Sequence, residues 1–342
     1  MESDKSLIMP SAETAIAQAA DRAAARHAFS AYRIGKAANT VSRQDDDLAC
    51  FATYLGSVGI RPGKLSTEAE AWRPITHGLV AGYVRWMLAE GFSMGTVGVR
   101  LSTIKTYAAL AAQAGAITTE TLALIRAIRG YSRAEGRRID EQRPLTRIGQ
   151  KKSAPAPLTR EQAMRLLAQP ATPQGRRDAV MMGLLLTMGL RVGEICALQV
   201  SGVDLKAGTI RFFRPKVDKW QTHRMPRALL AAVRAYIQSG DAPAMGLLLR
   251  QSLKNGRLSR IGMTRSGVNK RVAELGAAVG VPELAPHDCR HYWATAAARN
   301  KTPVDRLQDA GGWSSPAMPL RYVESAKIAN DGVVLGDEAL NN

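Results

Sequence analysis

Between Arg126 and Pro157 the helical apolar rhythm that runs through the rest of the chain gives out. Up to Lys152 this stretch holds nine Lys/Arg (Arg126, Arg129, Arg133, Arg137, Arg138, Arg143, Arg147, Lys151, Lys152) against three acids, and Pro144, Pro155 and Pro157 punctuate its end. A segment so poor in apolar residues cannot contribute to a core, and proline interrupts a helix. The chain is therefore expected to fold as two bodies, residues 1–142 and 158–342, joined by a basic linker over 143–157. A length of 342 residues suits two domains.

The first body reads as helix throughout. Val41, Leu48, Phe51, Leu55 and Val58 recur near a 3.6-residue period over 38–58. Pro74-Ile75-Thr76 opens a second amphipathic run that stops at Gly91. Ser93 has the character of an N-cap for a third, and Thr118–Tyr131 supplies a fourth. The Ala-rich residues 1–30 are expected to fray. The second body opens on Thr159 with Gln162 at capping-box spacing, then a long apolar helix over Asp178–Met188 that ends at Gly189. The period switches at Thr209–Phe213, with a partner near Thr222–Met225, the one good strand signal in the chain. Helices resume at Arg227–Gln238, Ser266–Val279, His287–Arg299, Pro303–Ala310 and around Pro316–Val323. The expected fold class is mainly α: a helical bundle, then a mostly helical domain with a small antiparallel β-sheet.

Lys+Arg total 47 against 29 Asp+Glu, a net charge of +18. That excess points to a polyanionic partner, nucleic acid before an anionic membrane. The longest apolar run, MMGLLLTMGL (181–190), is too short to span a bilayer, and the first ten residues lack a signal pattern. Cys50, Cys196 and Cys289 are scattered, which leaves no disulfide framework and no CxxC zinc site. A soluble, cytoplasmic, nucleoid-associated protein is expected, with no membrane partner.

GxxxxGK[ST], GxSxG and GxGxxG are all absent, so nucleotide hydrolysis and α/β-hydrolase chemistry lack sequence support, and no carboxylate cluster suggests a two-metal nuclease. The densest functional run is His287-Asp288-Cys289-Arg290-His291. Its histidines share a helix face, as in zinc-binding HExxH, but Asp288 is a methylene shorter than the glutamate that motif needs and no third ligand follows. HxxR is alternatively a phosphate-binding pair, a match close to chance by itself. Arg191 adds weight. It stands at a glycine-broken turn in Gly189-Leu190-Arg191-Val192-Gly193-Glu194, with Glu194 placed to hold its guanidinium. Downstream, Gly311-Gly312-Trp313 lies 23 residues after Arg290, and Tyr322 follows nine later.

Taken in order, TMGLRVGEICALQVSGVDL (187–205), HDCRHYWAT (287–295) and AGGWSSPAMPLRYV (310–323) resemble the conserved segments of the tyrosine recombinases, or phage-integrase-type recombinases. The resemblance spans most of 155–325. Within the family, the separations among His287, Arg290, Trp313 and Tyr322, and a tryptophan at 313 where histidine is commoner, are Cre-like. The resemblance implies a site-specific DNA recombinase that cuts and rejoins strands through a 3′-phosphotyrosyl link, with no cofactor, metal or ATP. Tyr322 would be the nucleophile, and Arg191 and Arg290 would clamp the phosphoryl oxygens with planar forks of donors. His287 and the Trp313 indole would complete the shell, and Glu194 would orient Arg191. His291 would be support. The family places its acid lysine in the β-hairpin, where Lys216 fits best and Lys219 is the rival. Cys289 stands where leucine is common, a compatible packing change.

For DNA, the helix start at Thr264–Arg271 is the candidate reader, through Arg265, Asn269, Lys270 and Arg271, with Ser93–Ala112 second. Arg138 and Arg143 belong to the basic strap along phosphates. The implied partner is double-stranded DNA with inverted-repeat sites, bound by a homotetramer across two sites. The segment Ser325–Asn342, through Val333, Val334 and Leu335, would dock on a neighbour. Type IB topoisomerase chemistry, and a DNA-binding protein without recombination activity, are the alternatives.

Overall fold

A computed structural model describes residues 12–144 and 155–326, and the chain divides into two compact units, one up to Ser153 and one from Ala154. Most of the expected linker, and the expected docking tail beyond residue 326, lie outside the described residues.

The first unit carries α1 (Ala12–Ile34), α2 (Ala38–Ser57), α3 (His77–Ala89), α4 (Met94–Gln113), α5 (Thr119–Ala127) and α6 (Arg133–Gln142). Thr76, Ser93 and Thr118 cap α3, α4 and α5, each side chain accepting a backbone N–H three residues on. Phe51, Trp72, Tyr83 and Ile104 are fully buried between these helices, and the Trp72 indole donates to the Leu65 carbonyl at 2.9 Å.

Three expectations fail in this unit. The Ala-rich start is helical from Ala12, because alanine has the highest helix propensity and α1 gains partners in α4 through Phe29, Tyr32 and Tyr107. Helix α5 stops at Ala127 rather than Tyr131. Ile128 turns extended, and the Lys105 ammonium covers the freed carbonyls of Arg126 and Ile128 at 2.9 and 2.5 Å. The basic strap contains α6, started by a capping box between Ser132 and Glu135.

In the second unit α7 (Arg160–Leu167) and α8 (Pro173–Thr187) lead to the short α9 (Val192–Cys196). Strands β1 (Val203–Asp204), β2 (Thr209–Arg214) and β3 (Lys219–Arg224) form one antiparallel sheet in that order. After α10 (Arg227–Gln238), β4 (Arg250–Ser252) and β5 (Leu258–Gly262) make a second hairpin that was not expected. Then come α11 (Arg265–Ala278), α12 (Pro286–Arg299), α13 (Val304–Gly311) and α14 (Ala317–Ala326). Helix α8 is the spine: Met181, Leu184 and Leu185 are fully buried, and a buried side chain of this kind contributes about 1.5–3 kcal/mol. The strand β2 alternates, Ile210 and Phe212 facing this core while Arg211 faces out.

Candidate functional site

The site is built on the turn after α8. Gly189 takes a left-handed backbone (φ 61°), and a Cβ there would meet the Trp293 ring at 2.2 Å. Glycine alone satisfies both demands. Two residues on, Arg191 is the N-cap of α9. Its backbone N–H donates to Glu194 Oε2 at 2.9 Å and its Nη1 to Glu194 Oε1 at 2.8 Å, with Glu194 buried at 3% exposure. Its Nη2 donates to the Gly312 carbonyl at 2.9 Å.

Helix α12 begins with Pro286, and the Asp288 carboxylate accepts the Ala285 N–H at 2.9 Å. Asp288 is thus a helix cap. Arg290 is buried; its Nη1 and Nη2 donate to the Gly189 and Gly311 carbonyls at 2.5 and 2.6 Å, and its guanidinium lies 4.3 Å over the Trp313 ring. Both arginines are therefore oriented by main-chain oxygens of the Gly311-Gly312 turn, where Gly312 is left-handed (φ 59°). Burial, with Arg191 nearby, brings the Arg290 pKa down to about 10.

Tyr322 sits on α14 at 4% exposure, its ring 5.1 Å from His291 and 5.7 Å from Trp313. Burial pushes its phenol upward, opposed by the fields of Arg290, Arg321 and Arg191. His287 and His291 stand edge to face with their Nε2 atoms 3.2 Å apart. Among the described residues no group of three His, Cys, Asp or Glu side chains could hold a metal ion. One cleft of about 460 Å³ is lined by Arg191, Lys216, His287, Arg290, Trp313 and Tyr322, with Glu194 behind it. All seven residues expected of the catalytic centre are thus at one place.

Lys216 lies in the β2–β3 turn and faces that cleft. Lys219 instead pairs with Asp309 Oδ1 at 3.0 Å. The residues expected on DNA separate. Arg265 and Lys270 are exposed on α11, Arg138 is exposed on α6, and Asn269 also lines the cleft. Arg271 and Arg143 differ from these in having carboxylate partners within their own unit. Arg271 is bound by the buried Asp178 and by Glu274, and Arg143 donates to the Leu88 and Phe92 carbonyls and pairs with Asp140.

Sequence reasoning missed Arg214, fully buried at the end of β2 and 3.8 Å from Glu194 Oε1. It missed Asp309 as well, which holds Lys219 and Gln221. Neither stands in a motif; the burial of Arg214 leaves no periodic trace, and Asp309 is an exposed acid like many others.

The second unit thus gathers two backbone-held arginines, a hairpin lysine, histidine, tryptophan and tyrosine in one cleft. The phage integrase family model matches residues 157–328, half of the chain. A tyrosine recombinase XerC of Mycobacterium leprae is 26% identical over 306 residues, covering 86% of this chain and 91% of the relative. A tyrosine recombinase XerA of Thermococcus kodakarensis is 31% identical over 192 residues, 56% of this chain and 66% of the relative, just under two thirds of that relative's length. Among solved structures, the Tn1549 transposon integrase in complex with transposon right end DNA superposes with a TM-score of 0.61 at 16% identity, over 90% of this chain and 97% of that one. The chain belongs to the phage integrase family, the family of the tyrosine recombinases.

Proposed function

We propose that this protein is a site-specific DNA recombinase that cleaves and rejoins duplex strands through a 3′-phosphotyrosyl intermediate. The observation that carries the reading is the single cleft shared by Arg191, Lys216, His287, Arg290, Trp313 and Tyr322.

In cleavage the Tyr322 oxygen bonds to the scissile phosphorus and gives its proton to His287. The bond from phosphorus to the 5′ oxygen breaks, and Lys216 supplies the proton that makes the leaving group a 5′-hydroxyl. Arg191 and Arg290, aided by the Trp313 N–H, neutralise the charge that builds on the non-bridging oxygens. The reverse reaction, with a 5′-hydroxyl from another strand, reseals the backbone, because the phosphotyrosine has kept the energy of the broken bond. No nucleotide hydrolysis and no metal ion is required by this scheme.

The first unit and the exposed cations of α11 would bind the duplex by its phosphates, which makes affinity fall steeply with salt. The substrate would be paired inverted-repeat sites held by a homotetramer, with the residues after 326 docking on a neighbouring protomer. A cytoplasmic, nucleoid-associated location follows from that substrate.

The test uses nicked duplexes drawn from the DNA flanking the gene. A covalent protein–DNA adduct should form, persist in chelator and vanish in Tyr322→Phe. Recombinant products from two sites, absent with an unrelated plasmid, separate a recombinase from a topoisomerase. No adduct on any such duplex, or an adduct that survives Tyr322→Phe, refutes the reading.

A further inference from the structure

Two arginines suffice for the scheme above, yet the structure buries a third beside them. Arg214 is the last residue of β2, opposite Lys219 in the hairpin register, and its side chain is fully buried. Its Nη2 donates to the Ala310 carbonyl at 2.7 Å. Its Nη1 lies 3.8 Å from Glu194 Oε1, the oxygen that also accepts from Arg191. Its Nε and Nη1 make no hydrogen bond, and burial lowers its pKa. An apolar side chain would fill this space without the desolvation cost of a guanidinium two donors short of satisfaction.

What the guanidinium touches gives it a task. A Cβ on Gly312 would lie 2.2 Å from Arg214 Nη1, so the backbone of the Gly311–Trp313 loop rests directly on it. On the exposed edge of the hairpin, Lys219 pairs with Asp309 Oδ1, and Gln221 Nε2 donates to the Asp309 carbonyl and carboxylate at 3.2 and 3.0 Å. Both strands of the hairpin therefore grip residues 309 and 310. These immediately precede the two glycines whose carbonyls hold Arg290 and Arg191.

We propose that Arg214 is a positioning residue that locks the Lys216 hairpin to the Gly311–Trp313 loop, so that the leaving-group acid and the phosphate-binding arginines are held as one rigid set. The proposal rests on Lys216 acting as that acid. Lys216 is an exposed residue in a turn, two positions beyond Arg214. A flexible ammonium there is effective only where its supporting strand holds it to within about an ångström of its productive position beside the leaving oxygen. The Asp309 clasp is exposed, and exposed ion pairs hold little. The buried arginine bears the larger share.

The experiment compares two versions of the duplex that yields the Tyr322 adduct, one with the natural 5′ oxygen at the scissile phosphate and one with a bridging sulfur there. Sulfur departs as a thiolate and needs no acid. In the full-length protein, Arg214→Met should slow single-turnover cleavage of the oxygen duplex on the order of 100-fold. The same variant should cut the sulfur duplex within about 3-fold of the parent, because Arg191 and Arg290 keep Glu194 and the Gly189 carbonyl as supports of their own while the hairpin lysine has lost its anchor. Asp309→Asn, on the exposed side, should show the same pattern at about 3- to 10-fold and covers the case in which Arg214→Met fails to fold. Equal losses on both duplexes for the two variants overturn the proposal. Lys216→Ala separates the layers. If sulfur fails to rescue it, Lys216 is not the acid and the underlying reading falls; if sulfur rescues it but neither Arg214→Met nor Asp309→Asn, the proposal alone falls.

Discussion

Two clusters of charge lie within the second unit, and they are balanced differently. Between α8 and α11, Arg177 and Arg271 meet Asp178 and Glu274, with Asp178 fully buried and bound by both guanidiniums at 2.7 and 2.8 Å. Two cations face two anions. In the cleft, Arg191, Arg214 and Arg290 gather about one carboxylate, Glu194, and the field of each neighbouring arginine lowers the pKa of Arg290 further. The first cluster is closed on itself, and its contribution is to hold two helices together. The second carries a surplus of positive charge that backbone carbonyls can orient but not neutralise. Under the proposed reaction an arriving phosphodiester would supply an anion there, and the cage would be complementary to a charged state formed with DNA in place.

This contrast can be broken at either cluster. The largest separation is expected between Arg290→Ala and Asp178→Ala. Removing Arg290 should cut single-turnover cleavage by roughly 10²- to 10³-fold. The folded state should suffer less, since repulsion with Arg191 and Arg214 is relieved. Removing Asp178 leaves the buried Arg177 without a carboxylate and should cost about 3–5 kcal/mol in denaturant unfolding, with cleavage per folded molecule unchanged. The reverse pattern would mean that the cage is structural and the closed cluster functional. Next in size is an alkaline limit. As pH rises through about 10, Arg290 loses its proton and the cage one of its three positive charges, so cleavage should decline above that pH in a profile run from neutral to about pH 11. Tyr322, pushed upward by burial, stays protonated at neutral pH, and in the proposed scheme it would give its proton to His287. The smallest effect belongs to Glu274→Gln. That residue is the exposed partner of Arg271, and its loss should change stability by no more than about 1 kcal/mol in the same unfolding assay.

How much of this was legible beforehand depended on the kind of signal. The catalytic candidates were legible because three segments, taken in order around Arg191, Arg290 and Tyr322, resemble those of a known family, and the structure brings those residues to one cleft. Helix α6 was misjudged because its apolar face is thin, although Ser132 and Glu135 stand at capping-box spacing. The β4–β5 hairpin was missed because its strands are short and polar, despite Asn255-Gly256 at its turn. The partners of Arg143 and Arg271 and the burial of Arg214 are illegible in the sequence for one shared reason. A sequence counts its cations but does not tell which way they point. That direction is set by tertiary partners such as the Leu88 and Phe92 carbonyls, Asp178 and Ala310.

The Gly311-Gly312 turn has an evolutionary corollary. Because it supports Arg191 and Arg290 through peptide oxygens, no single side-chain replacement in the turn can delete those acceptors. What can dislodge them is a change in the length of the chain between Asp309 and Trp313, or a bulkier residue at either glycine, where a Cβ would strike Trp313 or Arg214. Drift in this protein should therefore be tolerant of substitution at the neighbouring Ser314 and Ser315 and intolerant of a one-residue insertion only a few positions away.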